Sequence, residues 1–352
     1  MSKKALLAVS IAALMTGCKS LPDAPEGICH ASTAINIPQS EIKVATSQAK
    51  KAIVLPVDVA SGIDYPRTMA NAFQHRLEGQ VDQSGAKLVD RSLAGKLKQE
   101  IKLAEQSGRI NTSGVAIADY AVLAEVRSSN MKYSFTDEET KVDDDGDRHY
   151  TPAECTFTAS VEGVVKVVAL PSMEVVNRIE ISGRELSTFE QKRPNSDCPI
   201  LESQYKRLVE EAAKNAVNRN DNLLNQFAPS GTVEELRQCE EYGAMVRVNM
   251  GENQGIRPEQ KVEISTAEKV QLADGTEVIE YYPVGEGQTA DEDNRHGIKP
   301  TYSWIGVDDK NVMKIQRGDL VEARFESGCN DLIEPFRNIC WEAYEAFSKK
   351  GS

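Results

Sequence analysis

An α+β protein in two folded parts is what the sequence predicts: a mixed β-sheet with flanking helices, followed by a small β-barrel-like domain. Three observations carry this. Between residues 50 and 228, apolar runs of strand length alternate with amphipathic helical periods. The pattern breaks at Phe227-Ala228-Pro229-Ser230-Gly231. Beyond it, short strands follow one another across Gly, Asp and Asn turns.

The elements follow in chain order. Lys3 and Lys4 precede an apolar run, Ala5–Met15, which is too short to span a hydrocarbon core about 30 Å thick. The next residues, Met15-Thr16-Gly17-Cys18, resemble the bacterial lipobox, in which signal peptidase II cleaves before a diacylated cysteine. The resemblance implies a signal peptide over 1–17 and a lipid on Cys18. With Lys19 and Ser20 next, and no Asp, it also implies sorting to the outer membrane. An ordinary secretory signal cut elsewhere is the competing reading. Residues 18–49 read as a tether with a short strand at Ile42–Ala45.

The first domain, residues 50–228, opens on the buried strand Ala52-Ile53-Val54-Leu55-Pro56-Val57, closed by Ala60-Ser61-Gly62. Met69, Phe73, Leu77 and Val81 recur every four residues, one face of a helix entered through Asp64 and Pro66. Gly85 ends it, Ala86–Arg91 is a short strand, and Leu93, Leu97, Ile101 and Ala104 mark a second helix, stopped near Gly108. Val115–Val126 is a strand, and a long polar stretch follows. Thr156–Ala169 and Val175–Thr188 form a hairpin around Leu170-Pro171-Ser172-Met173. A third helix runs over Leu201–Gln226. The order is β-α-β-α-β-β-β-α.

In the second domain, residues 229–352, strands are expected at Ala244–Met250, Lys261–Ser265, Val278–Val284, Trp304–Val307 and Leu320–Phe325, with a helix near Ile333–Phe347.

Composition narrows the function. The chain has 352 residues, 41 basic and 54 acidic, a net charge of −13; loss of Lys3 and Lys4 with the signal peptide makes it −15. Such a surface repels phosphate backbones and anionic lipid headgroups, so nucleic acid is not an expected partner. Setting Cys18 aside leaves Cys29, Cys155, Cys198, Cys239, Cys329 and Cys340. An even set in an exported protein favours disulfides, and the sequence does not fix the pairing. The expected set is Cys155–Cys198, Cys329–Cys340 and, by remainder, Cys29–Cys239. There is no Cys-x-x-Cys, and His30, His75, His149 and His296 are scattered, so neither a metal nor a cofactor is expected.

Candidate motifs reduce to structure. Asp143, Asp145, Asp147 and Glu154 have the spacing of an EF-hand loop, but Arg148 holds the place that needs glycine, so a solvated hairpin tip is expected. Gly285-x-Gly287 lacks the third glycine and the strand-to-helix setting of a dinucleotide site, and reads as a turn. No nucleophile elbow and no His-Glu-x-x-His occurs, and no serine is paired with a histidine. His75 reads as a surface or groove residue. Glu210 and Glu211, adjacent on a helix, do not face each other. Trp304 and Trp341 read as core residues.

Taken in order, Ala52–Val57, Ala60-Ser61-Gly62, Leu88-Val89-Asp90-Arg91 and Ala118-Asp119-Tyr120-Ala121-Val122 resemble the CsgG-like family of outer-membrane lipoproteins, whose fold is shared with the N-terminal domain of TolB and with LpoB-like activators. Asn249-Met250-Gly251, Gly255–Gln260 and Ile315–Leu320 resemble the C-terminal domain of the flagellar ring protein FlgT. In the curli channel two sheet segments extend into membrane-spanning hairpins. The matching stretches here are Ser128–Glu154, with seven carboxylates between Asp137 and Asp147, and the short, polar Thr188–Ile200. Lipid-facing strands need alternating apolar residues and tolerate few charges. No pore is expected. The resemblance implies a non-enzymatic outer-membrane lipoprotein on the periplasmic face, anchored through Cys18. Its partners would be other envelope proteins, with a homo-oligomeric ring plausible. An activator of a peptidoglycan synthase and a subunit of a secretion channel are the alternatives.

Overall fold

The computed structural model describes residues 33–43, 50–89, 94–95, 97–99, 101, 118–191, 194–218, 220–239, 243–290, 297–308, 310–326 and 340. The signal peptide, Cys18, residues 44 and 45 of the expected strand at Ile42–Ala45, and most of the expected C-terminal helix lie outside them; Ile42 and Lys43 are not in a strand, and residue 340 is helical. The chain forms two units. One ends at Pro229 and is rejoined at Phe325; the other holds Ser230–Arg324 and the N-terminal segment before residue 48. That segment contributes strand β1, Thr33–Ile35, which pairs with the second unit.

In the first unit the strands are β2 (Lys51–Val54), β3 (Asp58–Val59), β4 (Lys87–Leu88), β5 (Tyr120–Thr136), a small hairpin of β6 (Glu139–Val142) and β7 (Arg148–Thr151), β8 (Glu154–Ala169) and β9 (Val175–Glu190). The main sheet has the order β4-β2-β5-β8-β9, with β3 also on β5. Its β2–β4, β2–β5 and β3–β5 pairs are parallel, and β5–β8–β9 is antiparallel. Both faces of β2 are buried: Ala52 and Val54 enter one core, Ile53 and Leu55 a second with Ala94, Ile101, Ala121 and Val168. A strand covered on both sides reads as a continuous apolar run, as this one does.

Helix α1 (Pro66–Gln83) buries Met69, Ala72, Phe73, Leu77 and Val81, the stripe expected from the four-residue repeat. Pro66 stands at its start, and Gly85, at φ +89°, follows its end. Two differences from the sequence reading concern length. Strand β5 does not stop at Val126 but runs on through Thr136, because Met131, Tyr133 and Phe135 alternate with polar residues and pair with β8. The helix expected over Leu201–Gln226 is two: α2 (Glu202–Asn218) and α3 (Asp221–Gln226), separated at Asn220, whose backbone is extended.

Helix α2 packs on β9 through its smallest side chains. A Cβ on Gly183 would lie 2.1 Å from the Ala212 carbonyl oxygen and 2.2 Å from the Ala216 nitrogen. Gly183 therefore sets the distance between helix and sheet, and neither neighbour is a side chain that could turn aside.

The second unit is a closed barrel. Its strands are β10 (Ser230–Cys239), β11 (Gly243–Val248), β12 (Lys261–Gln271), β13 (Glu277–Thr289), β14 (Ser303–Val307) and β15 (Leu320–Arg324). All pairs are antiparallel, in the order β10-β11-β14-β13-β12-β15, and β15 returns to β10. The sequence reading lacked β10, which begins directly at the break, and made β12 and β13 too short. Their pairing continues to Gln271↔Glu277, past the stretch held by β15 and β14, as a projecting ribbon. Gly285 and Gly287 are not a turn. Both lie inside β13, where a Cβ on Gly287 would meet the Gly306 oxygen at 2.6 Å, so the bare backbone is what lets β14 approach.

Replacing Gly183 with alanine is expected to lower stability by about 3 kcal/mol or more, since overpacking against fixed backbone cannot be relieved by a rotamer change. Denaturant unfolding of the variant against Ala159→Gly, which opens space instead of filling it, measures this.

Candidate functional site

Beyond Val126 the main sheet narrows to three strands, β5, β8 and β9, in the registers Asn130↔Ser160↔Arg184, Lys132↔Thr158↔Leu186 and Ser134↔Thr156↔Thr188. Side chains alternate across it. On one face Phe157 and Cys155 are buried, and Met131, Phe135 and Phe189 pack against them. Phe157 meets Phe189 at a ring separation of 5.9 Å and Tyr133 at 6.1 Å. The opposite face carries Asn130, Lys132, Ser134, Thr156, Thr158, Ser160, Arg184 and Thr188 with one exposed apolar residue, Leu186, and the Thr156 and Thr188 hydroxyls lie 2.9 Å apart.

The apolar face is covered by the segment between β9 and α2. Cys198 is joined to Cys155 with the sulfurs 2.06 Å apart, both cysteines are buried, and Ile200 packs into the same core. The covering segment leads to Tyr205, whose hydroxyl donates to Asp64 Oδ2 at 2.8 Å and whose ring meets Tyr65 edge-on. Burial first, and then the Asp64 carboxylate, push the Tyr205 hydroxyl up to about 12. Of the other expected disulfides, Cys340 is bonded. Cys329, Cys29 and the side chain of Cys239 lie outside the described residues.

The acidic stretch forms the β6–β7 hairpin. Asp143 Oδ1 accepts the backbone N–H groups of Asp145 at 3.1 Å and Asp147 at 2.8 Å, while Oδ2 lies 3.0 Å from His149 Nε2. The His149 contact and these amides hold the Asp143 carboxyl below the usual carboxylate range. Asp143 thus closes a turn with its own backbone. Glu154 opens β8 in register with Thr136, so the residues of EF-hand spacing are not gathered round a point. Among the described residues no group of three His, Cys, Asp or Glu side chains could hold a metal.

In the barrel, Trp304 is a buried residue of β14 with the Arg237 guanidinium 4.9 Å from its ring centroid. Arg247, 6.0 Å from the same ring, pairs with Glu234 at 3.1 Å and Glu235 at 3.0 Å. Trp341 lies outside the described residues. Sequence reasoning met Asp319 only within the FlgT-like step Ile315–Leu320 and did not foresee its burial. It is fully buried before β15; Oδ2 accepts the Gln316 N–H at 2.7 Å, and Oδ1 has no hydrogen-bond partner. The buried Thr266 hydroxyl lies near enough to favour the charged form slightly but makes no bond of proper geometry. Burial dominates and pushes the Asp319 carboxyl up.

No family model matches the chain. No curated protein matches it either. Solved structures that resemble it include lipoprotein GNA1162 from Neisseria meningitidis, at 12% identity over 42% of this chain and 88% of that one, TM-score 0.23. The PelC L103M dodecamer from Paraburkholderia phytofirmans matches at 12% identity over 51% and 96%, TM-score 0.20. A minor lipoprotein from Acinetobacter baumannii matches at 8% identity over 49% and 87%, TM-score 0.23. Likenesses this slight transfer neither a family nor an activity, and the CsgG-like and FlgT-like resemblances are not established by them.

Removing the disulfide with Cys155→Ser and Cys198→Ser is expected to cost about 4 kcal/mol, the chain-entropy value for a loop of this span. It should also raise binding of an apolar dye at the uncovered phenylalanines, read by dye fluorescence and denaturant unfolding. For Asp319 the sign follows from proton linkage. The folded state holds its proton to higher pH than the unfolded chain, so stability falls as pH rises from the ordinary carboxylate value through the raised one. Asp319→Asn keeps an acceptor for Gln316 and cannot ionise. Thermal unfolding from pH 4 to 8 should show the variant at least as stable as the wild type at neutral pH, with that part of the slope removed.

Proposed function

We propose that this chain is a non-enzymatic, lipid-anchored component of a bacterial envelope assembly, held at the outer membrane through Cys18, facing the periplasm and related to the CsgG-like and FlgT-type proteins its motifs resemble. One observation carries the reading: the three-stranded extension of β5, β8 and β9 has one face covered by its own chain except at the exposed Tyr133, and the other lined with Ser, Thr, Asn, Lys and Arg around one exposed apolar side chain, Leu186. A lipid-facing strand needs about ten residues of alternating apolar character. Neither face offers that outward, which supports a protein-binding platform in water over a membrane-spanning hairpin. Other envelope proteins are the partners, identical subunits in a ring among them. In this reading the lipid on Cys18 supplies the attachment; among the described residues no helix is long and apolar enough to cross a membrane.

Mass spectrometry of the mature chain from a Gram-negative host should find Cys18 as the first residue, carrying a diacylglyceryl group. Density-gradient fractionation should place it with outer membranes, and Cys18→Ser should abolish both. An unmodified N-terminus, or a wild type left among soluble proteins, would overturn the reading.

A further inference from the structure

Helices α1 and α2 lie side by side on the sheet, and a groove of about 330 Å³ runs between them, lined by Thr68, Asn71, Ala72, His75, Arg76, Lys206, Glu210 and Lys214. Two helical stripes meet there, at spacings of three, four, seven and eight residues on α1 and four and eight on α2. We propose that this groove binds a small ligand through a phosphate group, a phosphomonoester or diphosphate.

Three features carry the inference. The first is charge. Within a chain of net charge −13, the groove holds Arg76, Lys206 and Lys214 against the single carboxylate Glu210. That carboxylate is spent on Lys214, 2.9 Å away, and Glu211 reaches the same ammonium at 2.7 Å. Arg76 and Lys206 have no ion-pair partner among the described residues; with Glu210 and Glu211 both on Lys214, three cations stand against two carboxylates, and the excess positive charge sits on the facing stripes at Arg76 and Lys206. The second is donor content. Thr68, Asn71, Arg76 and Lys206 can all donate hydrogen bonds, and a planar guanidinium beside a point-charge ammonium suits a phosphoryl group's several acceptor oxygens. The third is size. The volume is at the lower end of ligand pockets, enough for a sugar-sized phosphate and too small for a polyanion. The overall negative charge turns long polyanions away without closing a short, locally positive groove.

The phosphate could stand on a soluble molecule or on a lipid headgroup, and two arms separate these. In the first, inorganic pyrophosphate is titrated into the full mature chain by calorimetry at low salt; in the second, the chain is sedimented with vesicles containing phosphatidic acid. Saturable binding is expected in at least one arm. The double variant Arg76→Ala with Lys206→Ala should weaken it at least tenfold, since two charge-assisted contacts are lost. Arg67→Ala, exposed on α1 outside the groove, removes a charge without touching the lining and should stay within about twofold of the wild type. Binding in the first arm assigns a soluble ligand, and binding in the vesicle arm alone assigns a lipid headgroup. Absence of binding in both arms overturns the proposal, as does a double variant no weaker than Arg67→Ala.

Discussion

The far half of the main sheet depends on a cover for its phenylalanines. Strands β8 and β9 are each sixteen residues long, and α2 packs on β9 around Gly183, midway along it. Past that point Phe135, Phe157 and Phe189 would face water, at about 1.5–3 kcal/mol for each side chain fully buried or left out. The covering segment has little regular structure, and ordering it costs backbone entropy. Cys155–Cys198 offsets part of that cost by tying the segment to the strand it covers, across 43 residues of sequence.

That constraint bears on membrane insertion more directly than the carboxylate count does. The acidic residues lie on the small β6–β7 hairpin and its approach, joined to the sheet end but outside its ladder. In the proposed reading the sheet's alternation weighs more: Phe135, Phe157 and Phe189 lie on the covered face, while Asn130, Lys132, Ser134 and Thr158 share the other with a single exposed leucine, Leu186.

How much of this the sequence disclosed depended on the range of the interaction. Periodic apolar positions, as in Met69–Val81, and unbroken runs, as in Ala52–Leu55, announce local structure because burial on one face or on both writes itself into the spacing. The extension of β5 was also legible: Met131, Tyr133 and Phe135 alternate strictly, but their polar partners made the stretch look like a loop. Gly285 and Gly287 misled for a different reason. A glycine marks a turn and a close backbone approach equally well, and only the neighbouring β14 distinguishes them. Asp319 stood out only as part of the step Ile315–Leu320, and its burial was not legible, since that comes from barrel closure between β15 and β10. The two stripes of the phosphate groove can each be read from helical spacing, but their meeting cannot.

Recognition through the sheet's edges is restrained. On edge strand β9 the carbonyl of Arg184 accepts the Asn215 amide at 3.0 Å and that of Glu180 the Asn220 amide at 3.4 Å, so two of its open acceptors are engaged by the protein's own side chains. On the other side β5 carries an irregularity between Val126 and Ser128, where Arg127 pairs with Glu125 and Glu180. A bulge and charged side chains at an edge discourage indiscriminate strand addition. The barrel closes on itself and presents no run of open edge along its closed part. Under the proposed function, the Ser- and Thr-rich face is then the surface left for contact. Hydrogen bonding across a polar face demands matched geometry, whereas backbone pairing accepts nearly any strand, so the proposed assembly would gain specificity from that face.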